Sequence, residues 1–257
     1  MKQMKFFLVA VMAVVMGLSV TSCLNGEEST QVNGQPIIAK VKENFLNLTL
    51  VTLDGSTLIQ AKNVVEGTTN WMRDDFVFGN FSYDRAVDIE NNTIHATINA
   101  IEKISGNRVD GIEKAWDAED NSSYASNRGV ISITDVVPSM LDNNNLLIPI
   151  IYFCHEKIAS HTFSLVYYTD VEELKNDRKE LKVYLRHNST EEQDKEGYKN
   201  GSYRVFDLSV ALAQYQAAND NQYPIKITVV AETNNSSNKV PEGVTEYSIE
   251  YKHNDKN

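Results

Sequence analysis

The residues of this chain that are best suited to chemistry are Cys154, His155 and Glu156, with His161 a few positions later. Thiol, imidazole and carboxylate groups are the ones that zinc sites and thiol nucleophiles use. On a strand, His155 points away from its two neighbours, so these three side chains cannot converge on one ion. A turn after Glu156 would bring His155 and His161 together across a hairpin, which is one ligand too few for a catalytic zinc site. We therefore expect a histidine pair at the end of a hairpin, with no metal site and no cofactor.

Catalytic motifs are missing from the rest of the sequence. It contains no phosphate-binding glycine-rich loop, no Gly-x-Ser-x-Gly elbow and no His-Glu-x-x-His. Cys154 lies in an apolar run of an acidic protein, whereas a reactive thiol needs an exposed, electropositive setting. Adjacent acid pairs such as Glu191-Glu192 are typical of solvated loops rather than of carboxylates held across a substrate cleft. We expect no catalytic residues, and an enzyme of unknown class is the least favoured alternative.

Cys23 follows a segment that resembles a bacterial lipoprotein signal. Two lysines precede an apolar run over residues 6–18, and a Val-Thr-Ser string leads to Cys23. The run is shorter than the roughly 20 residues that span a bilayer, but it has the length of a signal peptide. Residues 1–22 are therefore predicted to be a cleaved signal, with Cys23 lipidated and residues 23–35 forming a polar tether. An ordinary secretory signal with an incidental cysteine is the alternative.

The charge balance excludes nucleic-acid binding. The chain of 257 residues has 24 Lys and Arg against 35 Asp and Glu, a formal net charge of −11. Binding to phosphate backbones requires Lys and Arg on one face. An anionic membrane surface would also repel the chain, so lipid on Cys23 must supply the membrane contact. With Cys23 acylated, Cys154 has no disulfide partner and is expected to be a buried, inert thiol.

Alternation of apolar and polar residues predicts an all-β fold. Residues 46–51 and 57–61 flank Asp54-Gly55, which is a strong signal for a hairpin with a type I′ turn. A polar, acidic stretch at residues 117–128 predicts a domain boundary. One-sided alternation is typical of antiparallel sheets with one face on a core. Beyond the boundary, the clearest alternating sets are residues 163–167, 181–186, 225–229 and 246–251.

One short helix is predicted after Asp207, whose side chain can cap it. The segment carries apolar residues at the i, i+3, i+4 and i+7 spacing of one helix face. These residues are Leu208, Ala211, Leu212 and Tyr215.

Aromatic residues crowd the segment from Trp71 to Tyr83, which also contains Phe78. Sugar-binding sites use exposed aromatic side chains beside polar groups, so Trp71, Phe78 and Tyr83 are the candidate ligand-binding residues. The favoured alternative is that these aromatics fill the interior of a small barrel.

Two strings in the C-terminal half resemble a known family. They are Leu-Lys-Val-Tyr-Leu-Arg-His-Asn at residues 181–188 and Tyr-Arg-Val-Phe-Asp-Leu-Ser at residues 203–209. Together with the leader, they resemble the NigD-like lipoproteins of gut and oral Bacteroidota, whose founding member came from a bacteriocin locus.

The resemblance implies an OB-fold-like barrel over residues 36–120 and an antiparallel β-sandwich with one short helix over residues 129–257. It brings no catalytic residue, cofactor or substrate. The residues that match the family motif, which are Arg186, His187 and Asp207, are interpreted as structural: an arginine paired with a carboxylate and a helix cap.

These observations predict a non-enzymatic lipoprotein of the cell envelope. It is expected in the outer membrane, facing the periplasm or the cell surface, and bound to a protein partner. Any link to bacteriocin production or self-protection rests on the family resemblance alone. The alternative function is binding of a glycan or another small ligand on a face of the OB-like barrel.

Overall fold

The structure is a computed structural model, and it divides into two compact units at Ser105 and Gly106. The predicted signal, Cys23 and the first part of the tether lie outside the described residues, as does Glu156. The structure describes residues 29–45, 47–117, 124–132, 137–155, 157–175, 179–192 and 197–253.

The first unit is a closed five-stranded barrel with one short additional strand. The strands are β1 (Gln31–Glu43), β2 (Thr49–Thr52), β3 (Leu58–Ala61), β4 (Phe76–Asp84), β5 (Ile89–Glu90) and β6 (Thr93–Lys103). The meander β1–β2–β3 is joined to β6 by a parallel β3–β6 pair, and β6 returns to β1 through β4. The two-residue β5 extends the edge of β6. This strand order is that of an OB-fold, so the predicted N-terminal barrel is confirmed.

The β2–β3 hairpin forms where the sequence predicts it, but its turn is of another type. The Thr52 N–H donates to the Thr57 carbonyl at 3.0 Å, which closes the loop around Asp54-Gly55. Gly55 has a positive φ of 74°, whereas Asp54 does not, so the predicted type I′ turn is wrong. The Asp54 carboxylate instead accepts the Ser56 N–H at 3.0 Å and stabilises a longer turn with one left-handed residue.

In its described residues, the second unit contains two sheets and three short helices. Its elements are β7 (Arg108–Ile112), α1 (Lys114–Asp117), β8 (Ser139–Met140), β9 (Asn145–Cys154), a 3₁₀ turn (Ile158–Ser160), β10 (His161–Tyr168), α2 (Val171–Leu174), β11 (Glu180–Ser189), β12 (Tyr198–Asp207), α3 (Ser209–Ala218), β13 (Lys226–Thr233) and β14 (Gly243–Glu250). One sheet has the order β14–β13–β11–β10–β7, and the other has the order β12–β9–β8. The larger sheet is mixed rather than purely antiparallel, because β7–β10 and β11–β13 are parallel pairs.

Two boundaries differ from the sequence prediction. β1 begins at Gln31, so residues 31–35 belong to the barrel rather than to the tether. β7 pairs with β10, so the barrel ends near Ser105 and not at residue 120. The five residues of β7 are too few to show a clear strand pattern. The polar stretch that follows β7 is a strong loop signal, so the sequence predicts the boundary there.

The sheets of the second unit pack face to face around one core, as in a sandwich. The side chains of β9 that point inward are those of alternate residues from Leu146 to Cys154, as the pleat requires. The predicted helix is confirmed as α3, and its buried residues include Ala211, Leu212 and Tyr215. The Asp207 carboxylate accepts the Ser209 N–H at 2.8 Å. None of the helices among the described residues has the length and apolar character needed to cross a bilayer.

Candidate functional site

The three aromatic residues predicted to bind a ligand do not share one face of the barrel. Tyr83 is buried, and its hydroxyl donates to Oε1 of Gln35 at 3.2 Å. Trp71 packs against the barrel core, to which Tyr83 also belongs. Phe78 differs in parity from Tyr83 along β4 and therefore lies on the opposite face of the strand. The geometry is that of barrel packing rather than of one aromatic platform.

A polar cluster lies instead at one end of the core of the second unit. β9 ends at Cys154 and β10 begins at His161, and both residues are buried. The alternation of β11 sends His187 into the core with Leu185, and Glu191 follows the end of that strand. The side chains of His161 and Glu191 are 0% and 6% exposed. Three strand ends thus bring a thiol, two imidazoles and a carboxylate together.

Backbone N–H groups hold the Glu191 carboxylate in place. The His155 N–H donates to Oε2 and the Lys157 N–H donates to Oε1, each at 2.8 Å. The buried Arg128 guanidinium donates to the backbone carbonyl of Glu191. Hydrogen bonds to an ionised carboxylate are stronger than those between neutral groups, so Glu191 is firmly oriented toward the cluster.

The two histidines form a chain that ends at a carbonyl. His161 Nδ1 lies 2.9 Å from His187 Nε2, and His187 Nδ1 lies 3.2 Å from the Gly129 carbonyl oxygen. A carbonyl only accepts, so we assign the proton of His187 to Nδ1, and His187 Nε2 then accepts the Nδ1–H of His161. Burial lowers the pKa of His161, against the effect of Glu191, and burial lowers the pKa of His187 to about 3.

The predicted hairpin between His155 and His161 is wrong. β9 pairs with β12 and β8, whereas β10 pairs with β11 and β7, so the chain crosses from one sheet to the other between them. His161 therefore meets His187 rather than His155. Sequence patterns also fail to identify Glu191 as a member of the cluster and predict a solvated acid pair with Glu192. Local sequence patterns do not encode a contact between strand ends.

Cys154 is a buried free thiol, as the sequence predicts. Its sulfur lies 3.7 Å from Oε1 of Glu191 and 3.8 Å from the Tyr198 hydroxyl. Burial raises the pKa of this thiol above its ordinary value. A catalytic thiol has the opposite property, so this setting is not that of an activated nucleophile.

A second polar group lies on the outer face of the larger sheet, in a cleft of about 320 Å³. The Arg186 guanidinium lies 2.5 Å from the Asp117 carboxylate and also pairs with Glu232. The Tyr168 hydroxyl donates to Asp117 at 2.8 Å. The prediction that Arg186 pairs with a carboxylate is therefore confirmed. Because side chains alternate along β11, Arg186 points to the outer face of the sheet and the next residue, His187, points into the core.

Two tyrosines form the aromatic wall of this cleft. The Tyr168 and Tyr184 rings lie with their centroids 4.4 Å apart, and Arg186 lies over the Tyr184 ring at 5.5 Å. Burial raises the pKa of Tyr184 to about 12, so its hydroxyl stays protonated well into the alkaline range. At the rim, Val244 is 62% exposed. The cleft is thus lined by aromatic, cationic and apolar side chains.

Comparisons with known proteins identify the fold. No protein-family model and no curated protein matches the chain. A candidate lipoprotein from Bacteroides fragilis is similar with 24% identity and a TM-score of 0.69, over 87% of this chain and 99% of the other. A protein of unknown function from Bacteroides vulgatus is similar with 14% identity and a TM-score of 0.53, over 86% and 91%.

A NigD-like immunity protein from Bacteroides caccae is similar as well, with 16% identity and a TM-score of 0.50, over 83% of this chain and 96% of the other. These matches extend over most of both chains. The chain therefore has the fold of these Bacteroides proteins, and its resemblance to the NigD-like proteins is confirmed at the level of the fold.

Proposed function

We propose that the chain is a NigD-like lipoprotein of the cell envelope, anchored through Cys23, that binds a protein partner and catalyses no reaction. Support comes from the leader, which ends in a Val-Thr-Ser string before Cys23 as lipoprotein signals do, and from the fold shared with a candidate lipoprotein and a NigD-like immunity protein. The structural relatives include immunity and unknown-function proteins rather than named enzymes. Burial raises the pKa of the Cys154 thiol, which also argues against thiol catalysis.

The observation that carries partner binding is the cleft around Arg186. Tyrosine and arginine are enriched among the residues that dominate the energy of protein interfaces, and Tyr168, Tyr184 and Arg186 meet there. Arg186 Nε and Asp117 Oδ1 are buried without a hydrogen-bond partner among the described residues. Among the described residues, part of the hydrogen-bonding capacity of Arg186 and Asp117 is therefore unused.

A small ligand is the second candidate, and the size of the same cleft favours it. Its volume of about 320 Å³ lies at the lower end of the range for ligand pockets, about 300–1,000 Å³. A glycan could stack on Tyr184 and hydrogen-bond to Asp117. A glycan would therefore bind in the second unit rather than at the aromatic residues of the barrel.

Membrane fractionation tests the anchor, and purification after crosslinking in intact cells tests the partner. Cys23→Ala should move the protein from the membrane fraction to the soluble fraction. Val244→Asp places a charge on the rim of the cleft and should deplete the captured partner, whereas Val87→Asp changes a valine that is 76% exposed in the barrel and should not. Equal capture by both aspartate variants would place the partner elsewhere, and glycan binding lost only in Val244→Asp would favour the second candidate.

A further inference from the structure

The polar cluster at the end of β9 brings three different metal-ligating atoms to one point. The Cys154 sulfur, a His161 ring nitrogen and a Glu191 carboxylate oxygen all lie within 4.8 Å of one another. Zinc bonds of about 2.0–2.3 Å in a tetrahedron place neighbouring ligand atoms about 3.3–3.7 Å apart. The sulfur lies 3.7 Å from Oε1 of Glu191 and His161 Nε2 lies 3.1 Å from Oε2, so each of the two donors is near this separation from one oxygen of the carboxylate.

The protonation pattern of the histidine chain leaves a lone pair aimed into this cluster. Because His161 donates through Nδ1 to His187, its Nε2 carries no proton in the neutral ring. His161 Nε2 is buried and has no aligned hydrogen-bond partner among the described residues. It faces the Glu191 carboxylate at 3.1 Å. Two acceptors at this distance repel each other unless a cation lies between them.

The groups behind these atoms are those that orient metal ligands. Histidine ligands usually donate their second ring N–H to another group, which fixes the ring and its tautomer. Here His187 accepts that proton and is itself held by the Gly129 carbonyl. The Glu191 carboxylate is fixed by two backbone N–H groups at 2.8 Å. The imidazole of His161 and the carboxylate of Glu191 are therefore preorganised, and they lie beside the buried Cys154 thiol.

We propose that Cys154, His161 and Glu191 bind one divalent metal ion of the zinc class. Thiolate and imidazole select borderline and soft ions over Mg²⁺ and Ca²⁺. The Cys154 thiol would lose its proton to solvent when the ion binds, and the Tyr198 hydroxyl, which lies 3.8 Å from the sulfur, would lie beside the site. The ion ties the ends of β9 and β10 to the chain that follows β11. This inference is independent of the proposed partner binding.

The test is Co²⁺ titration of the full-length protein, purified in detergent after chelator treatment. A thiolate-to-cobalt charge-transfer band that saturates at one ion per chain, and that Zn²⁺ abolishes, is the expected result. Cys154→Ser should remove the band, and His161→Gln and Glu191→Gln should each weaken Zn²⁺ binding by at least about tenfold. His95→Gln, which changes a histidine in the barrel, is the matched control and should have no effect.

Absence of the charge-transfer band in the wild-type protein would overturn the proposal, and so would a band that survives Cys154→Ser. In that case a protonated His161 paired with the Glu191 carboxylate would account for the 3.1 Å contact between Nε2 and Oε2. Trp116 fluorescence, recorded in a Trp71→Phe background, reports whether each variant keeps the second unit folded. If a variant unfolds, the wild-type spectrum still tests the proposal. The chain has two cysteines, and when Cys23 is acylated a thiolate-to-cobalt band can come only from Cys154.

Discussion

The barrel and the sandwich of this chain differ in what they bury. Among the described residues, the barrel buries three polar side chains, Thr52, Thr68 and Asp88, whereas the second unit buries ten, including Arg128, His161, Arg186 and His187. Burying a polar or charged group costs free energy unless it is fully paired. The second unit tolerates that cost at several places, and we assign function to two of them, the cluster at Glu191 and the cleft at Arg186.

The largest expected effects come from the apolar cores. Phe81 in the barrel and Phe206 in the second unit are both fully buried, and truncation of either to alanine should cost about 3–5 kcal/mol of unfolding free energy. The two tryptophans separate the units, because Trp71 lies in the barrel and Trp116 in the second unit. Denaturant unfolding in single-tryptophan backgrounds, Trp116→Phe or Trp71→Phe, should show that Phe81→Ala affects mainly the Trp71 signal and Phe206→Ala mainly the Trp116 signal. Equal shifts of both signals would mean that the two regions unfold as one.

Next in size is the buried ion pair of the cleft. Arg186→Ala leaves Asp117 buried without its cation and should cost about 3 kcal/mol. Lys182→Ala is the matched control, because Lys182 lies on the same strand but pairs with Glu246 at the surface, with side chains 31% and 53% exposed. Its removal should cost less than about 1 kcal/mol. Similar losses in thermal or denaturant unfolding for both variants would contradict the contrast between buried and exposed pairs.

A glycine next to the polar cluster gives a smaller effect. A methyl group on Gly129 would lie 2.5 Å from Cβ of Asn234 and 2.7 Å from the Thr233 carbonyl carbon. Gly129→Ala must therefore separate two backbone segments and should cost about 1–3 kcal/mol. At Gly201 the same methyl group meets only an atom at 3.9 Å, so Gly201→Ala should be neutral or slightly stabilising. Unfolding curves of the two variants make the comparison, and equal stability would refute it.

The smallest effect that we predict depends on pH. Burial opposes ionisation of Glu180, but hydrogen bonds from Thr228 and Lys226 outweigh it, so its pKa is lowered from 4.5. A carboxylate with a lowered folded pKa stabilises the protein above its unfolded pKa, and this contribution is lost as pH falls through the folded value. Glu180→Gln should thus cost about 1.5 kcal/mol near neutrality, and the cost should shrink below about pH 4.5.

The control for this titration is Glu250→Gln, since the Glu250 side chain is 74% exposed. It should change the unfolding free energy by less than about 0.5 kcal/mol at any pH. A Glu180→Gln cost that stays constant down to acidic pH would show that the carboxylate charge does not contribute.

Sequence patterns are informative where structure is local and fail where it is not. The alternation of residues 181–186, the hairpin around Asp54-Gly55 and the helix after Asp207 are confirmed, because each is encoded within about ten residues. The contact between His161 and Glu191 joins strand ends that are far apart in sequence. The β9–β10 hairpin is wrong for the same reason: the residues between two strands do not say whether the strands share a sheet.

The most direct test of our account places a photo-crosslinking amino acid at Val244, on the rim of the cleft, and in a second strain at Val87, in the barrel. Both sites are exposed valines, so reactivity is matched. Irradiation of intact cells should yield one defined crosslinked species from position 244 and none from position 87. The same species from both positions, or from position 87 alone, would contradict the assignment of partner binding to the second unit.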